Sequence, residues 1–112
     1  MDLVVSVYNA TRRFPKEEIF TLTSQMRRAS ISLPSNIAEG KGRQTDRDRV
    51  HFYSHARGSL LELETQIQIA QRLGYVSPQS AKQLLTETAQ IGGMLNALIE
   101  AIRPKENTRS AA

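Results

Sequence analysis

A chain without cysteine must draw its chemistry from carboxylates, imidazoles, hydroxyls and guanidinium groups. Its two histidines, His51 and His55, are four residues apart, a spacing at which two imidazoles on one helical face can share a metal ion. The residues between them are Phe52, Tyr53 and Ser54, which is not the glutamate-led motif of zinc proteases. A third ligand would have to come from Glu62, Asp48 or a neighbouring chain, so the pair reads as a surface or interface feature and no metal site is expected. Glu39, Glu62 and Glu64 supply carboxylates, but a di-iron bundle needs Glu-x-x-His on facing helices, and none occurs. The string Glu39-Gly40-Lys41-Gly42-Arg43 lacks the length and the following Ser or Thr of a phosphate-binding loop. The expectation is a non-enzymatic protein with no catalytic residue and no cofactor.

The polar residues at Asn36, Glu39, Ser59 and Glu62 are more ambiguous. Asn36 and Glu39 stand three apart on a segment interrupted by Pro34. A carboxylate beside a bent helix can accept from backbone donors or pair with an arginine, and a buried carboxylate needs such a partner; Arg28 is the expected one. A ligand site made by Asn36, Glu39 and Glu62 is the functional alternative. The structural reading is preferred, because Gly58 and Ser59 suggest close contact between helices and no nucleophile is evident. Pro34, Asn36, Glu39, Gly40, Gly58, Ser59 and Glu62 are therefore assigned to a structural motif.

Charge is distributed unevenly. The chain carries +4 with a pI near 9.9, and residues 1–58 hold ten Lys or Arg against six acids, enough for the whole excess. Arg12 and Arg13 cluster with Lys16 at the first connection, and Lys41, Arg43, Arg47 and Arg49 at the second. Such groups would meet phosphate electrostatically and without reading sequence. The alternative is a solvated face in which Glu17, Glu18, Asp46 and Asp48 offset the arginines, and a scarcity of surface aromatics argues against single-strand stacking. Arg12, Arg13, Lys41, Arg43, Arg47 and Arg49 are the candidate nucleic-acid contacts of this second reading.

The elements that would position these groups are helices. One chain of 112 residues has room for one domain, expected over 1–103 with a flexible tail over 104–112. Leu3, Val4, Val7, Tyr8 and Thr11 share a face of a short helix that Pro15 ends. Ile19, Leu22, Met26, Ala29, Leu33 and Ile37 form the stripe of a second, bent at Pro34 and closed by a left-handed glycine at Gly40 or Gly42. Thr45 caps a third helix that runs to about Leu73, with Tyr53 or Phe52, Ala56, Leu60, Leu63, Ile67 and Ala70 inward and Leu61 broadening the face. Ser77-Pro78 opens a fourth, carrying Ala81, Leu84, Thr88, Ile91, Leu95, Leu98 and Ile102 to a stop at Pro104. The fold class is all-α, an antiparallel up-down four-helix bundle with a bent second helix.

The first helix is less than half the length of the third, so part of the core is left to another subunit, the bent helix or residues upstream. Assembly is preferred, since Leu85, Gly92, Met94 and Ile99 lie beside the last helix's main stripe. No basic leader and no apolar run of about 18 residues is present, so a cytoplasmic protein without membrane contact is expected.

The sequence resembles the small four-helix-bundle family encoded in intervening sequences of bacterial 23S ribosomal RNA genes, the S23 ribosomal protein family. The resemblance rests on Val7-Tyr8, Phe14-Pro15, Glu18, Leu22, Gln25, Arg28 and Ser32, and above all on the run Ser35 to Gly40. It continues through Phe52, Gly58-Ser59-Leu60, Glu62 and Glu64, spanning Leu3 to about Leu98. The group looks related to the accessory variability proteins of diversity-generating retroelements. What the resemblance implies is a ring-like homopentamer, and for the retroelement relatives a basic surface that meets nucleic acid. The expected partners are further copies of the chain, RNA or DNA in the second reading, and a larger protein partner.

Overall fold

The computed structural model describes residues 2–111, with side chains through residue 102. Four helices follow one another: α1 (Asp2–Thr11), α2 (Leu22–Lys41), α3 (Asp46–Arg72) and α4 (Pro78–Ala111), with a single 3-10 turn at Lys16–Glu18. There is no strand among the described residues. α3 packs on α2 and α4, and α1 closes the remaining side against the same two helices. The result is the four-helix bundle with a bent α2 that the periodicities demand.

The helix boundaries follow local chemistry. The Asp48 amide donates to Thr45 Oγ1 at 3.2 Å and the Ser80 amide to Ser77 Oγ at 3.1 Å, so both expected N-caps are made. α3 ends in a Schellman arrangement: Tyr75 N–H bonds to Ala70 O and Gly74 N–H to Gln71 O, with Gly74 at φ 80°. A side chain there would be strained. α2 ends differently from expectation. Gly40 lies inside the helix and Gly42 has an ordinary φ of −83°, so neither is needed for a left-handed turn. Gly40 serves packing, because a Cβ on it would stand 2.6 Å from Tyr53 Cε1.

The core is built from Leu3 and Val7 of α1, Leu22, Met26, Ala29 and Leu33 of α2, Tyr53 to Ala70 of α3, and Ala81, Leu84, Leu95 and Ile99 of α4. Several placements correct the sequence reading. Ile19 is about half exposed because the chain makes a 3-10 turn before α2 begins at Leu22. Leu61 is exposed, whereas Ile99 is buried in the core; on a period of 3.6 residues, Leu95 and Ile99 share the inward line that Leu84 and Thr88 begin. Ile99 therefore adds nothing to the outer surface of α4. Phe14 and Val76 are buried too, with the Phe14 ring tilted against Tyr75 at 5.3 Å between centroids. α4 continues past Pro104; as at Pro34 in α2, a proline removes one backbone donor without ending the helix. The expected flexible tail, 104–112, falls outside the residues whose side chains are described.

Gly58 was expected to mark a close helix contact, but no atom outside its own helix lies within 4 Å of the Cβ position there. The contact residue is Gly40. Gly40→Ala should destabilise the fold by about 1–3 kcal/mol through displacement of the Tyr53 ring. Gly58→Ala, by contrast, should be neutral or stabilise by about 0.5–1 kcal/mol. Chemical denaturation of the two variants tests this pair of opposite signs.

Candidate functional site

Ser32 and Gly40 of α2 meet α3, and a small hydrogen-bonded group ties the two helices at Ser32. Ser32 Oγ and Ser59 Oγ are 2.8 Å apart across the α2–α3 contact. Asn36 Nδ2 donates to both Ser32 Oγ and Ser32 O at 2.9 Å. Asn36 thus locks the rotamer of the serine that crosses to Ser59. Two turns further on, Tyr53 covers Gly40. Pro34 contributes the bend and lies on the opposite wall, lining an apolar groove with Leu33, Ile37, Leu3 and Met94. That groove lies between α1, α2 and α4, where Leu3 and Leu33 are buried and Met94 is exposed.

Glu39 and Glu62 do not join this group. Glu39 is exposed and accepts from Arg43 Nη2 at 2.7 Å, four residues on and just past the end of α2. Arg28, expected as its partner, makes no ion pair among the described residues. Glu62 is also exposed and accepts from Gln66 Nε2 at 3.2 Å. The carboxylates and Asn36 therefore make separate contacts, and a shared ligand pocket is not what links them. Glu64 was grouped with these acids by type; it instead accepts from Thr88 Oγ1 at 2.9 Å, tying α3 to α4.

Similar ties hold α1. Arg27 Nε donates to the buried Thr11 Oγ1 at 2.9 Å, and its guanidinium lies 4.7 Å from the Tyr8 ring centroid. Ser6 Oγ donates to Glu87 Oε1 at 3.3 Å. Below α1, Glu18 accepts from the Thr21 hydroxyl and from the Tyr75 hydroxyl, the latter at 2.9 Å. The Thr21 hydrogen bond, then that of Tyr75, holds the Glu18 carboxyl below its usual range. The contribution of ionised Glu18 is thus present above the ordinary carboxylate range and fades as pH falls through the lowered value. The same bond raises the Tyr75 phenol.

The six candidate nucleic-acid residues form two separated groups. Arg12 and Arg13 follow α1, while Lys41, Arg43, Arg47 and Arg49 surround the α2–α3 connection; the length of α2, about 30 Å at 1.5 Å per residue, stands between them. Arg43 is held by Glu39 and lies 4.5 Å from the Phe52 ring centroid. Arg49 Nη1 donates to Asp46 Oδ1 at 2.7 Å. Arg12, Arg13, Lys41 and Arg47 are exposed and make no ion pair among the described residues.

The His51 and His55 rings lie 4.5 Å apart between centroids with their planes tilted by 58°, both exposed. No group of three or more His, Asp or Glu able to hold a metal occurs among the described residues, and no described hydrogen bond joins a hydroxyl to a histidine. Nor is any described helix long and apolar enough to cross a membrane.

What the sequence reading missed is Phe20. Its side chain is 91% exposed beside Ile19 and Ile31, lining a groove with Tyr8, Thr23, Arg27 and Arg28. The signal was available: Phe20 lies two residues before the first inward position of α2, Leu22, outside the apolar stripe.

The profile of the family described as 23S rRNA-intervening sequence protein matches residues 1–97. The chain belongs to this intervening-sequence family. No curated protein matches it. Among solved structures it is similar to a protein with unknown function from the S23 ribosomal protein family of Bacteroides thetaiotaomicron. The TM-score is 0.81 at 20% identity, over 88% of this chain and 89% of that one. At that identity the likeness speaks for the shared bundle alone. Within the run Ser35 to Gly40, Asn36 and Gly40 serve the α2–α3 contact, through Ser32 and Tyr53 respectively, while Ile37 lines the groove toward α1 and α4.

Two substitutions separate structural from superficial members of the motif. Asn36→Ala should cost about 1–2 kcal/mol, since two hydrogen bonds are lost beside a half-buried serine pair. Glu39→Ala should cost no more than about 0.5 kcal/mol, because its ion pair with Arg43 is exposed to solvent. Urea denaturation curves of both variants check the contrast.

Proposed function

We propose that the protein is a non-enzymatic, self-associating bundle that acts as a homo-oligomeric scaffold in the cytoplasm. The observation that carries this reading is apolar surface left outside the core. Phe20, Ile19 and Ile31 are exposed on the α1–α2 side, and Leu61, Ile69 and Leu73 on α3. Large apolar side chains gathered on a face mark a contact surface more often than scattered ones do. The number proposed is five, following the ring-like homopentamer that the family resemblance implies. Light scattering on the purified chain tests it: an assembly of several times 12.5 kDa is expected at micromolar concentration, and a monomer throughout would overturn the reading.

Nucleic-acid contact is a second reading, supported by the four exposed cations Arg12, Arg13, Lys41 and Arg47 and by the basic-surface precedent of the retroelement accessory proteins. Binding through them would be sequence-indifferent and would weaken with salt. In anisotropy titrations with RNA and DNA, Arg47→Ala should lower the slope of log affinity against log salt by about 1. Arg49→Ala should do less, because Arg49 is already paired with Asp46. Affinity weaker than about 100 µM at low salt would remove this reading and leave a larger protein partner as the object of the scaffold.

A further inference from the structure

The two exposed apolar faces have complementary charge. On the α1–α2 side, the groove runs from Phe20, in the turn before α2, to Ile31 on α2. Arg28 lines it near its Ile31 end, and the exposed Glu17 stands three residues before Phe20 in the 3-10 turn. On α3, Leu61, Ile69 and Leu73 are exposed over about 18 Å. Glu62 lies beside Leu61, and Arg72 beside Leu73, both exposed. Arg27 also lines the groove, but it is engaged by Thr11 and the Tyr8 ring; Glu17, Arg28, Glu62 and Arg72 have no ion-pair partner among the described residues.

We propose that the groove of one copy receives the outer stripe of α3 from a second copy, with the two helices antiparallel. In that register Leu61 meets Ile31 and Leu73 meets Phe20, while Glu62 faces Arg28 and Arg72 faces Glu17. The parallel register would instead set Glu62 against Glu17 and Arg72 against Arg28. Exposed pairs of this kind add little affinity, but like-charge encounters exclude the wrong register. The apolar side chains supply the burial and the charges choose the direction.

The donor and acceptor faces are different surfaces of one chain, so the contact is heterologous. Each copy bound through its groove still offers its own α3 stripe, and the contact repeats until a ring closes or a filament grows. This inference rests on the self-association reading and specifies the surfaces that carry it.

The test uses two variants, each with one face disabled: Phe20→Asp in the groove and Leu61→Asp on the stripe. Both positions are exposed, and Ile31→Asp with Ile69→Asp provides a second set should either variant lose its helical circular dichroism. Each variant alone is expected to be monomeric in sedimentation. Mixed in equal amounts, they should form a heterodimer of twice the chain mass, because one intact groove then meets one intact stripe. Glu62→Arg should weaken assembly at least tenfold, and Glu62→Arg with Arg28→Glu should recover most of it. A wild-type chain that stays monomeric overturns both this inference and the assembly reading. A wild-type assembly that either single-face variant leaves intact overturns the inference alone, as does a pair of monomeric variants that fail to combine.

Discussion

Everything in this bundle depends on how closely α2 can lie against α3. Gly40 is the position where the helices could not approach if a side chain were present, since Tyr53 occupies the space that a Cβ would take. Tyr53 is buried there with Ala56 and Leu60 following it inward. The Ser32–Ser59 hydrogen bond fixes the same two helices nearer their middle, and Asn36 orients Ser32 for it. Dispersion and burial reward close packing without choosing a register; the polar contacts make the choice.

The other helices are tied by the same economy of means. α3 meets α4 through Glu64 and Thr88, α1 meets α2 through Thr11 and Arg27, and α1 meets α4 through Ser6 and Glu87. Each tie is a single polar contact beside an aliphatic core with few aromatic rings. Leu, Ile and Ala can slide past one another at modest cost, whereas a buried hydroxyl or carboxylate without a partner is costly. Polar residues inside such a bundle consequently read as registers before they read as sites. That ordering accounts for Asn36, Ser59 and Glu64 without a ligand.

It also redirects attention to the outside. The outer surface of α4 carries less apolar area than its sequence suggests, because Ile99 turns inward. Val5 on α1 and Met94 on α4 are exposed singly, while Ile19, Phe20 and Ile31 around the start of α2, and Leu61, Ile69 and Leu73 along α3, are exposed together. The basic side chains divide between two ends of the bundle, and Arg43 and Arg49 are engaged within the chain.

The number of helices, the caps at Thr45, Ser77 and Gly74, and most of the core are legible in the sequence. Those features are local: a proline at the end of α1, Thr45 and Ser77 at helix starts, Gly74 at a left-handed turn, and apolar residues every three or four positions. It also carried the family likeness, through the run Ser35 to Gly40. Tertiary structure alone decided what that run does. Whether Gly40 or Gly58 marks the close approach, and whether Glu39 turns to Arg28 or Arg43, depends on the rotation of one helix about its axis against its neighbour. So does the fate of Ile99, since a helix turned by one residue moves each side chain by about 100°. Periodicity defines a stripe to within such a turn. Only the packing of the four helices together selects which edge of the stripe is buried and which is left exposed.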